Sequence, residues 1–183
     1  MAKMTGAPQH PSDWVLRWKH LIGRGEVLDV ACGQGRHTAM LRLEGRQVLA
    51  CDIDVSDVEW LSDDPLVTVE CRDLENEPWP WAPERFAGII VTNYLCRKHF
   101  PHYWESLRPE GIFIMETFTE ANGMIWGHPK NPDHFLKEGE LLSLMPRGAR
   151  LIAYEEGVKP SGWCVARTVW AKPGDATPYG YDL

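Results

Sequence analysis

Val27-Leu28-Asp29-Val30-Ala31-Cys32-Gly33-Gln34-Gly35-Arg36-His37-Thr38 is the stretch that decides the fold of this chain. Glu26 to Ala31 is an apolar run that reads as a strand. Gly33 and Gly35 make a tight turn, and a helix starts at Arg36. Asp52 stands at the end of the next apolar run, 17 residues beyond Gly35. Glycine lets the backbone take positive φ and come close to a ligand. The start of the following helix offers free N–H groups and the positive end of its dipole. A carboxylate at the end of the second strand can accept two ribose hydroxyls. Together these features build a nucleotide pocket at the carboxyl edge of a parallel sheet.

Strands and helices alternate outward from this turn. The helix from Arg36 to Glu44 carries Ala39, Met40 and Leu43 at helical spacing, with Gly45 as its C-terminal stop. Gln47–Cys51, Leu66–Glu70, Phe86–Thr92 and Gly111–Thr117 read as further strands. Ser56–Leu61 and His99–Leu107 read as helices, the latter entered near Pro101. Ser12 caps an amphipathic helix through Trp18, expected across the sheet edge or over the pocket. Continuous apolar strands separated by helices imply an α/β protein whose parallel sheet is covered on both faces.

After the fifth strand the pattern changes. Thr119–Pro132 is rich in Gly, Pro, Asn, Trp and His without a period, and is expected to be a long functional loop. Asp133–Met145 reads as a helix despite Gly139. Leu151–Glu156 and Trp163–Ala171 flank Gly157, Pro160 and Gly162, a spacing that suits an antiparallel hairpin. The expectation is one domain over residues 1–183, ordered from about 12 to 171, with loose ends at 1–10 and 172–183.

Bulk properties narrow the function. Net charge is −7 and no Lys/Arg run exists, which argues against a nucleic-acid partner. No apolar run is long enough to span a membrane, and residues 1–8 lack the apolar core of a signal peptide. Five cysteines stand far apart with no Cys-x-x-Cys pair, which reads as a reduced, cytoplasmic protein. His99 and His102 have ligand-like spacing but lack an accompanying acid or cysteine set, so no metal is expected.

A dinucleotide turn requires a third glycine, and Thr38 stands in its place. The segment instead resembles the first motif of class I S-adenosylmethionine-dependent methyltransferases, acidic-x-Gly-x-Gly-x-Gly. Asp29, Ala31, Gly33 and Gly35 fill that pattern, with Ala31 replacing the first glycine. The strand-two acid of the family falls on Asp52, and the adenine-contacting acid after strand three falls on Asp73. The segment after strand four falls on Thr92-Asn93-Tyr94-Leu95, which lacks the Asn-Pro-Pro-Tyr pattern associated with amino methylation of bases. Within the class, Cys32 to His37 and Thr92 to Leu95 look most like small bacterial methyltransferases of the tellurite-resistance type.

The resemblance covers residues 12–171. It implies a single-domain Rossmann-like methyltransferase fold, with seven strands, mostly parallel, and a C-terminal antiparallel hairpin. It implies S-adenosylmethionine as cofactor and a small-molecule acceptor. Asp29, Ala31, Cys32, Gly33, Gly35, Arg36, Asp52, Ile53, Asp73, Leu74 and Asn93 are the residues expected around the cofactor. Arg36 suits either the methionine carboxylate or an anionic substrate. Tyr94, Arg97, Glu116 and His37 are the candidates for the acceptor pocket. Two other readings stay open: a nicotinamide-dependent Rossmann oxidoreductase, and a non-catalytic S-adenosylmethionine-binding protein. The acceptor and the oligomeric state are not legible.

Overall fold

Five parallel strands form the left and centre of one seven-stranded sheet: β1 (Val27–Val30), β2 (Val48–Asp52), β3 (Val67–Cys71), β4 (Phe86–Thr92) and β5 (Leu107–Phe118). β6 (Arg150–Val158) and β7 (Cys164–Ala171) complete it, in the order β3-β2-β1-β4-β5-β7-β6. β7 runs antiparallel to both β5 and β6, so the C-terminal hairpin inserts its second strand against β5. This computed structural model describes residues 10–175. The strand order reverses between β1 and β4, and ligand sites of such sheets lie at the carboxyl edge beside that reversal.

Burial explains why the central strands are apolar along their whole length. All residues of β1 and β4 are buried, because helices cover both faces. On one face α1 (Asp13–Trp18) sets Trp14, Val15 and Trp18 against Ile90, Ile112, Ile114 and Val169. Ser12 caps α1 by accepting the Trp14 N–H, and the Trp14 indole donates to the Thr168 carbonyl at 3.3 Å. On the other face α3 (Phe100–Ser106) packs Phe100 and Tyr103 against Phe113, and Phe113 stacks on Trp170. Trp14, Trp18 and Trp170 are thus core residues, while Trp126 and Trp163 stay partly exposed.

Expectation and structure part company between residues 119 and 145. The segment read as a loop contains α4 (Glu120–Trp126), ended by Gly127 in the left-handed conformation. Gly123 hides the helical pattern, and the packing requires it: a Cβ there would lie 2.7 Å from the Phe135 ring. The segment is also anchored to its surroundings. Asn122 is fully buried, donating to the His128 carbonyl at 2.7 Å and accepting the Cys164 N–H at 2.9 Å. The expected helix Asp133–Met145 is also broken. Pro132–His134 form a 3-10 turn, Leu136 pairs with Thr119 as a lone parallel bridge, and Gly139 takes φ +69°, so the α-helical part is α5 (Glu140–Ser143). Between Ser56 and Leu61 only a short 3-10 turn forms, over Glu59–Leu61.

The expected loose ends at 1–10 and 172–183 lie outside the described residues, apart from 10 and 172–175. Lys172 is not loose. Its ammonium donates to the Trp104 and Leu107 carbonyls, and its backbone pairs with Glu110 and Gly111. Among the described residues no helix is long and apolar enough to cross a membrane.

Candidate functional site

Three adjoining cavities run along the carboxyl edge of the parallel strands. The first, of about 250 Å³, lies beyond β2 and β3, between Asp52, Ile53, Asp73, Leu74 and Tyr94. The second, of about 380 Å³, lies over the glycine turn and is lined by Cys32, Gly33, Arg36, Thr92 and Asn93. Ala31 and Asp52 belong to both walls. The third, of about 580 Å³, lies under the C-terminal hairpin, between Ser12, Glu116, Phe118, His128, Lys159 and Trp163. It shares Arg36 and Asn93 with the second. We refer to them as the β2, glycine-turn and hairpin cavities.

The turn is built by unusual backbone angles. Ala31, Gly33 and Gly35 have φ of 52°, 55° and 74°, all in the left-handed region. The two glycines do different jobs. A Cβ on Gly33 would meet nothing within 4 Å, so this residue keeps the floor of the cavity open. A Cβ on Gly35 would lie 2.5 Å from Val58 Cγ2, so this residue lets α2 (Arg36–Leu43) pack. Ala31 is the one non-glycine of the three, and its small side chain keeps the cost of the left-handed angle to about 1 kcal/mol.

Asp52 braces the turn and keeps binding capacity. One carboxylate oxygen accepts the Gly33 N–H at 2.8 Å, the other the Asp54 N–H at 3.2 Å. A carboxylate has about four lone-pair sites, so each oxygen has one left for a hydroxyl. Asp73 closes a turn of its own, accepting from Asn76 Nδ2 at 2.8 Å and from the Glu75 and Asn76 N–H groups. These bonds, the Asn76 side chain foremost, hold its pKa below the usual carboxylate range. Ile53 and Leu74 supply the apolar walls of the β2 cavity. Asn93 has φ +57° and joins the two neighbouring cavities, its N–H bound to the Glu116 carbonyl at 2.9 Å.

Several expected site residues stand elsewhere. Asp29 was expected around the cofactor, yet it is buried behind the turn, accepting the Thr38 N–H at 3.0 Å and the Thr38 hydroxyl at 2.7 Å. Thr38 thus uses the position of a dinucleotide fold's third glycine to anchor the helix start. Burial raises the Asp29 pKa to about 6. His37, expected in the acceptor pocket, is buried beside it, with Nδ1 3.9 Å from Asp29 and Nε2 accepting the Ser12 N–H at 3.1 Å. It ties α1 to α2 as a neutral ring, its pKa lowered to about 3 by burial and by Arg36. Arg97 does not line the hairpin cavity either. It grips Glu140 with two hydrogen bonds and donates to the Asp133 and Phe135 carbonyls, which fastens residues 133–140 to the sheet edge. Tyr94 lines the β2 cavity instead of the hairpin cavity, and burial raises its pKa.

Glu116 alone of these four candidates lines the hairpin cavity. Its oxygens accept from the Ser12 hydroxyl, from Lys159 at 2.9 and 3.1 Å, and from Arg167 at 3.3 Å. It is an anchor for two cations. Lys159 also pairs with Asp13 at 2.7 Å. Lys159 and Trp163 escaped the sequence reading because only the hairpin carries them back over β5. Pro160 and Gly162 signal a turn there, but not what it covers.

A stability test follows from His37. Its folded pKa lies below its unfolded value near 6.5, so its contribution is complete above pH 6.5 and is lost as pH falls toward 3. Asp29 opposes this, since a raised acid favours the folded state on acidification, but its shift is the smaller. Net acid destabilisation is expected below pH 6.5. His37→Gln, which retains an acceptor for the Ser12 N–H, should shift the acid-unfolding midpoint downward. An unchanged midpoint, read by circular dichroism, would remove His37 from this role.

Among curated proteins, none matches the sequence. Solved structures do match. An S-adenosylmethionine-dependent methyltransferase from Mesorhizobium loti superposes with TM-score 0.67 at 16% identity, over 85% of this chain and 97% of that one. The 1,6-didemethyltoxoflavin-N1-methyltransferase of Burkholderia thailandensis, solved with its substrate and S-adenosylhomocysteine, gives TM-score 0.63 at 20% identity, over 85% and 74%. The cyclase SpnF gives TM-score 0.69 at 16% identity, over 88% and 79%. At these identities the likeness is one of fold. Residues 27–111, from β1 to the start of β5, match the family described as methyltransferase domain. Residues 27–111 are therefore similar to a methyltransferase domain, and the chain as a whole has the Rossmann-like fold of its structural neighbours.

Proposed function

We propose that this protein is an S-adenosylmethionine-dependent methyltransferase acting on a small molecule in a reducing, cytoplasmic compartment, as a single domain. One observation carries the reading. The three cavities are contiguous in the order nucleoside, turn, acceptor, with Asp52 braced against the glycine turn between the first two. The donor set fits the cofactor: Asp52 for the ribose hydroxyls, Asp73 with Ile53 and Leu74 for the adenine, and the turn around Gly33 for the amino-acid end. When bound, S-adenosylmethionine supplies an electrophilic methyl group on a sulfonium. The protein's task is to hold an acceptor in line with it, and such positioning is worth roughly 7–11 kcal/mol. The hairpin cavity lies on the far side of Asn93 from the nucleoside end and serves that purpose. The likeness to tellurite-resistance-type enzymes rests on Cys32 to His37 and Thr92 to Leu95 alone, and leaves the acceptor open.

The fold also serves a cyclase, so binding and turnover need separate tests. Calorimetry with S-adenosylhomocysteine should show one site per chain, and NADH should not compete. No binding at millimolar S-adenosylhomocysteine, or tight binding of NADH, would overturn the proposal. Binding without methyl transfer to any of a panel of thiols, amines and oxyanions would favour a non-catalytic binder.

A further inference from the structure

The charged residues lining the hairpin cavity are Asp13, Glu116, Lys159 and Arg36, and all but Arg36 are held in direct ion pairs among the described residues. Asp13, Glu116 and Glu155 pair with Lys159, Arg167 and Arg17 in a connected network. Arg36 is different. Its guanidinium is half-buried and donates only to neutral oxygens, the Thr92 hydroxyl at 3.3 Å and the His10 carbonyl at 3.5 Å. Among the described residues no carboxylate lies within ion-pair distance of it. Asp29 and Glu116 act on it from further away, and each is already bound to other donors. A partly desolvated cation without a counter-ion is costly, and an anionic ligand relieves that cost.

The opposite wall is aromatic. The Phe118 and Trp163 rings lie 5.3 Å apart, and the His128 ring lies 5.9 Å from Phe118 and 6.2 Å from Trp163. Trp126 backs Trp163 at 5.9 Å and is fixed by its indole bond to the Gly162 carbonyl. Val165 and Pro129 complete an apolar surface in the same cavity. Its volume, about 580 Å³, suits a ligand of one or two rings.

We propose that the acceptor is a planar aromatic or heteroaromatic monocarboxylate, its carboxylate on Arg36 and its ring against Phe118 and Trp163. Arg36 and Trp163 are then specificity-determining residues of the hairpin cavity. A carboxylate matches one guanidinium as a two-bond fork, whereas a dianion would call for further cations. The inference rests on the methyltransferase reading, because it treats this cavity as the acceptor site.

The test uses protein saturated with S-adenosylhomocysteine and three probes: 3-hydroxybenzoate, its neutral isostere 3-hydroxybenzamide, and cyclohexanecarboxylate. In the wild type, calorimetry should show 3-hydroxybenzoate binding at least about tenfold more tightly than the amide. Arg36→Gln, saturated with S-adenosylhomocysteine, should erase most of that ratio. Trp163→Ala should weaken both aromatic probes by about fivefold more than it weakens cyclohexanecarboxylate. Equal affinity for benzoate and benzamide in the wild type would overturn the inference without any variant. So would an Arg36→Gln protein that loses S-adenosylhomocysteine affinity and keeps the ratio, since Arg36 would then serve the methionine carboxylate. Failure of the wild type to bind S-adenosylhomocysteine at all would instead sink the methyltransferase reading.

Discussion

Asp52→Ala should weaken S-adenosylhomocysteine binding by at least about 100-fold. Each hydrogen bond from a ribose hydroxyl to the carboxylate contributes roughly 1.5–3 kcal/mol, and two are lost. The turn also loses the brace at Gly33, which Asp52 holds at 2.8 Å. Asp52→Asn separates these contributions. The amide oxygen can still accept the Gly33 N–H, which keeps that brace, while the amide NH2 can accept neither the Asp54 N–H nor a ribose hydroxyl and the negative charge is lost. Its affinity should fall between those of alanine variant and wild type. Asp73→Ala is the contrasting case. Asp73 already spends its oxygens on Asn76 and Glu75, so a loss of about tenfold or less is expected. Equal affinity in the wild type and the Asp52→Ala variant would remove Asp52 from the nucleoside site.

Gly35→Ala should destabilise the protein by about 2–5 kcal/mol, the sum of a left-handed backbone penalty and an overpacked contact. The contact is specific: the new Cβ falls 2.5 Å from Val58 Cγ2 and 3.3 Å from Leu61 Cδ1. Val58→Ala should therefore recover part of the loss in a Gly35→Ala background, although it is destabilising alone. A double-mutant cycle by chemical denaturation measures this coupling. Purely additive effects would show that the clash is relieved elsewhere. Gly33→Ala should behave in the opposite way. Its Cβ meets open space, so stability falls only by about 1–2 kcal/mol, while ligand affinity drops as the cavity floor fills.

The sequence was most legible where one local cause sets the structure. β1, the glycine turn and the start of α2 follow from residues 27–38, because apolar alternation fails there and glycine takes over. β4 is buried throughout and reads as one uninterrupted apolar run. The terminal hairpin was legible from Gly157, Pro160 and Gly162. Legibility failed where tertiary packing overrode propensity. Gly123 looks like a helix breaker but sits in α4 because Phe135 occupies the place of its side chain. Gly139 interrupts the expected helix at 133–145 because Leu136 pairs with the end of β5.

For the site, the residues that line the β2 cavity were legible and most of those that line the hairpin cavity were not. Asp52, Ile53, Asp73 and Leu74 sit at strand ends whose spacing the sequence reveals. The hairpin cavity joins residues far apart in the chain: Ser12 meets Glu116, and Asp13 meets Lys159. His37 and Arg97 looked like chemistry because titratable residues near a turn attract that reading. Their partners show one tying two helices and the other fastening a loop.

The most direct measurement is a crystal structure with S-adenosylhomocysteine bound. The ribose hydroxyls should lie on Asp52, the adenine between Ile53 and Leu74 beside Asp73, and the sulfur should face the hairpin cavity past Asn93. A ligand seated away from Asp52, or a sulfur turned from that cavity, would contradict the account.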